Sequence, residues 1–101
     1  MKTIRQVEVT PVFLEGFAPD WEEMKEAHIY ISYQYHSALH LCLCGCKDKV
    51  VTPLNSEALP DHGWTITEDA QRRITMAPSI GNFQSACKSH YIITKNTANF
   101  V

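Results

Sequence analysis

The chain has 101 residues, 45% of them hydrophobic and 20% charged, with a formal net charge of −2. That length holds one domain, 1–101, and not two, and the composition is that of an ordinary soluble protein rather than a disordered or collagen-like chain. The slight negative charge weighs against general nucleic-acid binding, which needs a basic footprint, and no stretch approaches the roughly 20 apolar residues that span a bilayer.

The first segment, MKTIRQVEVTPVFLEG, is interrupted by Arg5, Glu8 and Glu15. It does not read as a signal peptide, which points to a cytoplasmic protein with reduced thiols. Its β-branched residues predict a strand, and Pro11, with no N–H to donate, puts that strand at a sheet edge or at a bend. APDWEEMKEA (18–27) predicts a helix of one to two turns, with Asp20 as its cap and Glu22 and Glu23 at its positive end. HIYISYQY (28–35) alternates Ile29, Ile31, Tyr33 and Tyr35 against His28, Tyr30, Ser32 and Gln34. SALHLCLC (37–44) sets Leu39, Leu41 and Leu43 against His40, Cys42 and Cys44, and both stretches read as strands. KVVTPL (49–54) is a short strand ended by Pro53, so Gly45 and its neighbours make a tight turn. LNSEALPDHG (54–63) is a loop, WTITED and RRITMAP form a hairpin, and PSIGNFQSAC (78–87) is a loop rich in turn formers. HYIITKNTANFV (90–101) is a last hairpin turning near Lys95-Asn96-Thr97. Many short strands separated by turns predict a mostly β fold, a small single-domain antiparallel β-sandwich or barrel.

The four cysteines carry the strongest chemical signal. Cys42, Cys44 and Cys46 in HLCLCGC are too close to pair comfortably with one another, and Cys87 could bridge only one of them, so disulfides would leave two thiols over. Thiolate and imidazole suit zinc, which takes four tetrahedral nitrogen or sulfur ligands. Cys42, Cys44 and Cys46, with the half-site Cys87 and His90, offer five candidates for four places. The preferred set is three cysteines and one histidine, one of the first three being dropped. A closed site of this kind would staple two loops at one end of the sheet and add its binding energy to a thin core. Gly45 would let backbone N–H groups approach the sulfurs. The plain alternative makes the cysteines small buried hydrophobes and His90 a core histidine.

Two other chemistries use the same residues. His40 and Cys42 with Cys87 and His90 match the ligand types of a Rieske iron–sulfur centre, but the first half is in reversed order and Cys44 and Cys46 are left without a role. A nucleophilic cysteine paired with His90 is the other, although no Asn or Asp stands at a telling position to orient the pair, Asn82 and Asp61 being merely present. His28, His36 and His62 stand alone near turns or strand ends. Trp21, Trp64, Phe83 and Tyr91 could form a recognition surface, although Trp64 and Tyr91 read better as core, and Arg72-Arg73 reads as a solvated strand end.

HLCLCGC, VVTPL (50–54), the tryptophan-led strand WTI, MAPSIGNF (76–83) and CKSHYII (87–93) together resemble a family of small bacterial and phage zinc-binding proteins. Its members carry H-x-C-x-C-G-C, P-S-I-G-N and C-x-S-H-Y segments in this order. The resemblance covers roughly 28–101 and implies a metal held through the cysteines and histidine, here Cys42, Cys44, Cys46, Cys87 and His90. It also implies an association with ubiquitin-like conjugation genes, which some members neighbour. One departure is Lys47, where many relatives have a glycine. Within PSIGN, Pro78 would fix the entry, Gly81 would permit a positive φ and Asn82 would bond nearby backbone. Such a loop either presents donors to the thiolates or merely connects.

The function expected from these readings is a Zn2+-stabilised β domain that binds another protein as an interaction or adaptor module, linked to ubiquitin-like conjugation or phage systems. The alternatives are a zinc-dependent, peptidase-like hydrolase with Glu57, Asp61 or His62 as base, and then an iron–sulfur redox protein.

Overall fold

The computed structural model describes residues 6–56, 63–82 and 88–101. Among these, nine strands run in chain order: β1 (Gln6–Glu8), β2 (Thr10–Phe13), β3 (His28–Ser32), β4 (Ser37–Leu41), β5 (Lys49–Pro53), β6 (Thr65–Glu68), β7 (Ile74–Asn82), β8 (Ser89–Thr94) and β9 (Thr97–Phe100). They form a five-stranded sheet, β1-β9-β8-β7-β6, and a four-stranded sheet, β2-β3-β4-β5. Inward residues of both sheets, among them Ile29, Ile31, Ala38, Val50, Ile74, Met76, Ile80, Tyr91 and Ile93, share one buried cluster. The architecture is therefore the β-sandwich expected from the alternation of apolar and polar residues.

The first stretch differs in an instructive way. It does not make one strand: the chain crosses between sheets at Val9, so that β1 pairs with β9 while β2 pairs with β3. Val9 is buried at the crossing and its N–H donates to the Asn96 carbonyl at 2.8 Å. Pro11 sits on β2, an edge strand, where its missing donor is harmless. The β2–β3 pairing is parallel, unlike the antiparallel order expected throughout. Parallel neighbours need a long crossover, and residues 14–27 supply it.

That crossover also corrects the expected helix. Only Trp21–Glu23 form a 3-10 turn, and Asp20 makes no side-chain cap bond. The segment is held by burial instead: Leu14, Ala18, Trp21 and Met24 pack with Val12, Tyr30, Leu39 and Leu41 on the outer face of the four-stranded sheet. This explains why Ile29, Tyr30, Ile31 and Ser32 are all buried although β3 alternates, since both of its faces are covered. No helix among the described residues is long and apolar enough to cross a membrane.

A second correction concerns 78–82. These residues are not loop but the end of β7, with Ile80, Gly81 and Asn82 opposite Tyr91, His90 and Ser89. Between Met76↔Ile93 and Ile80↔Tyr91, β7 advances four residues while β8 advances two, so β7 bulges there. Bulges bend a strand and re-aim its side chains. The last hairpin turns at Lys95 and Asn96, both with positive φ (46° and 64°), as a tight two-residue connection requires.

One polar contact joins the sheets through the core. His40 of β4 is fully buried and its Nε2 lies 2.6 Å from the Tyr91 hydroxyl on β8. Its Nδ1 has no partner. Burial pushes the imidazole down to about 4. The unfolded chain therefore takes up this proton near pH 6.5 while the native state refuses it down to about pH 4. Stability from His40 is complete above pH 6.5 and drains away as the pH falls through that window, with an upper bound on the order of 3 kcal/mol. Urea midpoints of the wild type and His40→Gln, measured from pH 7.5 to 4, should converge as the pH falls; parallel curves would rule the histidine out.

Candidate active site beside a cysteine cluster

Strand β8 follows strict alternation. Ser89, Tyr91 and Ile93 are buried, while His90 is half-exposed and Ile92 exposed. Both inward neighbours of His90 are tied to the HLCLC segment. The Tyr91 hydroxyl meets His40, and the Ser89 side chain hydrogen-bonds Cys44. With 89 and 91 anchored inward, a strand's period of two turns His90 to the opposite face. There its Nε2 lies 2.7 Å from Ser79 Oγ. Ser79 follows the β7 bulge and is half-buried, and its carbonyl accepts a long hydrogen bond, 3.4 Å, from the Trp64 indole N–H. On the far side of β8, the His90 carbonyl accepts from the Val101 N–H at 2.9 Å.

Trp64 is itself set by close backbone approach. Its N–H donates to the Pro53 carbonyl at 2.8 Å, and a Cβ added at Gly63 would run into that same carbonyl oxygen. Glycine is therefore required at 63 if the indole is to reach Ser79.

The cysteine cluster closes the β4–β5 connection. β4 ends at Leu41, and the Gly45 N–H donates to the Cys42 carbonyl at 3.2 Å in a turn that needs φ +99° at Gly45. That fold-back brings the Sγ atoms of Cys42, Cys44 and Cys46 within 4.8 Å of one another, with 3.5 Å between the first two. Tetrahedral zinc with bonds of about 2.3 Å holds its sulfurs about 3.8 Å apart, so three thiols in this arrangement fit such an ion. The Cys46 N–H points at Cys44 Sγ at 3.4 Å, a backbone donor of the kind that Gly45 makes room for. The bond from Ser89, followed by those from Cys46 and Cys42, outweighs burial and holds the Cys44 thiol below its ordinary value.

Of the five ligand candidates, the fold gathers Cys42, Cys44 and Cys46. Cys87 lies outside the described residues, as do Glu57, Asp61 and His62. The Nε2 of His90 is turned to Ser79. His40, the other Rieske candidate, is committed to Tyr91 in the core. The sequence alone does not single out Ser79, because its relation to His90 appears only when 78–82 is a strand adjoining β8. The signal was present as two polar residues, in PSIGN and in SHY, at outward positions of neighbouring strands.

The family model described as "Bacterial ubiquitination-like system serine protease (BubE)" matches residues 15–101. That accords with the link to ubiquitin-like conjugation, and the description names a serine protease rather than a zinc hydrolase. No curated protein and no solved structure matches the chain significantly.

Lys47 adopts φ +63°, the left-handed region. A non-glycine residue there bears about 1–2 kcal/mol of steric cost, part of which glycine would give back through its greater unfolded entropy. Lys47→Gly should stabilise the fold by roughly 0.5–1 kcal/mol in urea titration, and a loss of stability would show that the lysine side chain matters more than the turn.

Proposed function

The chain belongs to the BubE family, and on that premise we propose that it is a serine hydrolase of the peptidase type, with Ser79 as nucleophile and His90 as general base. One observation carries the reading, the 2.7 Å separation of Ser79 Oγ and His90 Nε2. A serine hydroxyl is a poor nucleophile unless a base stands within about 2.6–3.2 Å of it.

In this reading the neutral imidazole accepts the Ser79 proton as Oγ attacks the substrate carbonyl. The acyl bond to the leaving nitrogen then breaks, with His90 Nε2 returning the proton to that nitrogen. Water, deprotonated by the same imidazole, releases the acyl group and restores Ser79. The substrate is a peptide or isopeptide bond in a ubiquitin-like protein, as precursor or as conjugate. The protein partner expected from the sequence is thus kept, as substrate rather than as the client of an adaptor.

We also propose that zinc is held by Cys42, Cys44 and Cys46 with Cys87 as the fourth ligand, and that His90 serves Ser79. Three thiols already gathered around one point support this, as does the engagement of the His90 Nε2 elsewhere. Such an ion supplies structure: four sulfur ligands leave no open position for water.

The test is labelling with a fluorophosphonate, which reacts only with an activated serine. Mass spectrometry should place the adduct on Ser79. Ser79→Ala should abolish labelling and peptide hydrolysis while folding normally, and His90→Ala should lower both by about a thousandfold or more. An adduct elsewhere, or hydrolysis surviving in Ser79→Ala, sinks the assignment. Elemental analysis should find one zinc per chain, kept in His90→Ala and lost in Cys44→Ser; zinc lost from His90→Ala would return that histidine to the metal.

A further inference from the structure

We infer that the open edge of β7, from Ser79 to Asn82, binds the substrate as an added β-strand, so that the ligand is an extended, unfolded peptide segment recognised through its main chain. The inference rests on the serine-hydrolase reading and names the form of substrate that this site accepts.

The edge exists because β6 stops short. β6 pairs with β7 only from Thr65↔Ala77 to Glu68↔Ile74. Before Thr65 the chain has turned away, with Trp64 bridged to Leu54 instead. β7 runs on to Asn82 with β8 on one side, and among the described residues nothing pairs with it on the other. The main-chain groups on that side can be identified. The Ser79 carbonyl faces it, since the indole following on from the β6 side reaches that oxygen. Backbone groups in a strand alternate in direction, so Ile80, opposite Tyr91, turns its N–H and C=O toward β8. Gly81 turns both of its own outward, ready to exchange a pair of hydrogen bonds with one residue of a neighbouring strand.

Gly81 also shapes the space above. It is the direct partner of His90 and shares the outward face with Ser79 two residues away. Having no side chain, it adds no bulk of its own beside the imidazole. An exposed strand edge invites strand addition and natural proteins normally blunt it. Here it runs from the nucleophile onward, and Trp64 closes it at the Ser79 end. Peptide capture by strand addition draws affinity from the main chain and tolerates varied side chains. A folded domain cannot present such a segment, but a flexible tail or linker can.

A pool of chromogenic tetrapeptide anilides of mixed sequence supplies the probe. The best substrate in it is resynthesised with single N-methyl groups along the backbone. Methylation at one residue, the one facing Gly81, should lower kcat/KM about tenfold or more, and at its immediate neighbours much less. Equal tolerance or equal loss at adjacent positions overturns the proposal. Gly81→Pro, which removes the outward N–H, should remain folded because that N–H takes no part in the β7–β8 ladder, and should lose hydrolysis by a similar factor. An unfolded Gly81→Pro, or a folded one with undiminished hydrolysis, overturns it as well. Wild-type protein that takes fluorophosphonate on Ser79 yet cleaves no member of the pool refutes the strand site alone. Protein that takes no label at all refutes the serine assignment and the strand site with it.

Discussion

The arrangement depends on the inward anchoring of two residues that flank one histidine. Ser89 and Tyr91 are drawn into the core by Cys44 and His40. Given the two-residue period of a strand, His90 then has one direction open to it. The hydrogen bonds that fix this direction come from β4 and the turn that follows it, across the sandwich. The histidine is thus aimed by the packing of the whole domain rather than by its own contacts alone. Ser79 is placed by a different device, an irregularity in β7 that shifts its register by two residues against β8.

The two motif segments divide the labour. Inward positions of the first segment, His40 and Cys42, face the core, and the turn after them folds three thiols around a point. Inward positions of the second lace onto the first, and its outward position, His90, meets Ser79. A metal at the thiols would stiffen the start of β8 at Ser89, one residue from the base. In a domain of about 100 residues, which buries only some two thirds of its unfolded surface, such a clip would add to a modest hydrophobic core.

Much of the framework was legible from residue order. Strands β3 to β6, β8 and β9, the turn at Gly45, the hairpin at Lys95-Asn96 and the edge position of Pro11 follow from alternation and turn chemistry. The helix failed because DWEEMKE carries acidic residues and a cap candidate without a full apolar stripe, and Trp21 and Met24 were answering to the sheet beneath them. PSIGN misled for a related reason. Proline, serine, glycine and asparagine are turn formers, yet here they build a bulged strand end. Local propensity yields to pairing when a neighbouring strand supplies the hydrogen bonds. The clustered cysteines stood out because their spacing is compressed into five residues. The serine did not, because its partner is eleven residues away and joined to it only by strand adjacency.

Strand β8 lies between β7 and β9, and β9 in turn holds β1, with Gln6 opposite Asn99 and the Gln6 amide donating to the Asn99 side-chain oxygen at 2.7 Å. The earliest described residues therefore wait for nearly the last ones before their sheet can close. A chain without residues 97–101 has only β7 beside the histidine strand and no partner for β1. Such long-range closure is slow, and the histidine strand gains its second flank only when it is complete.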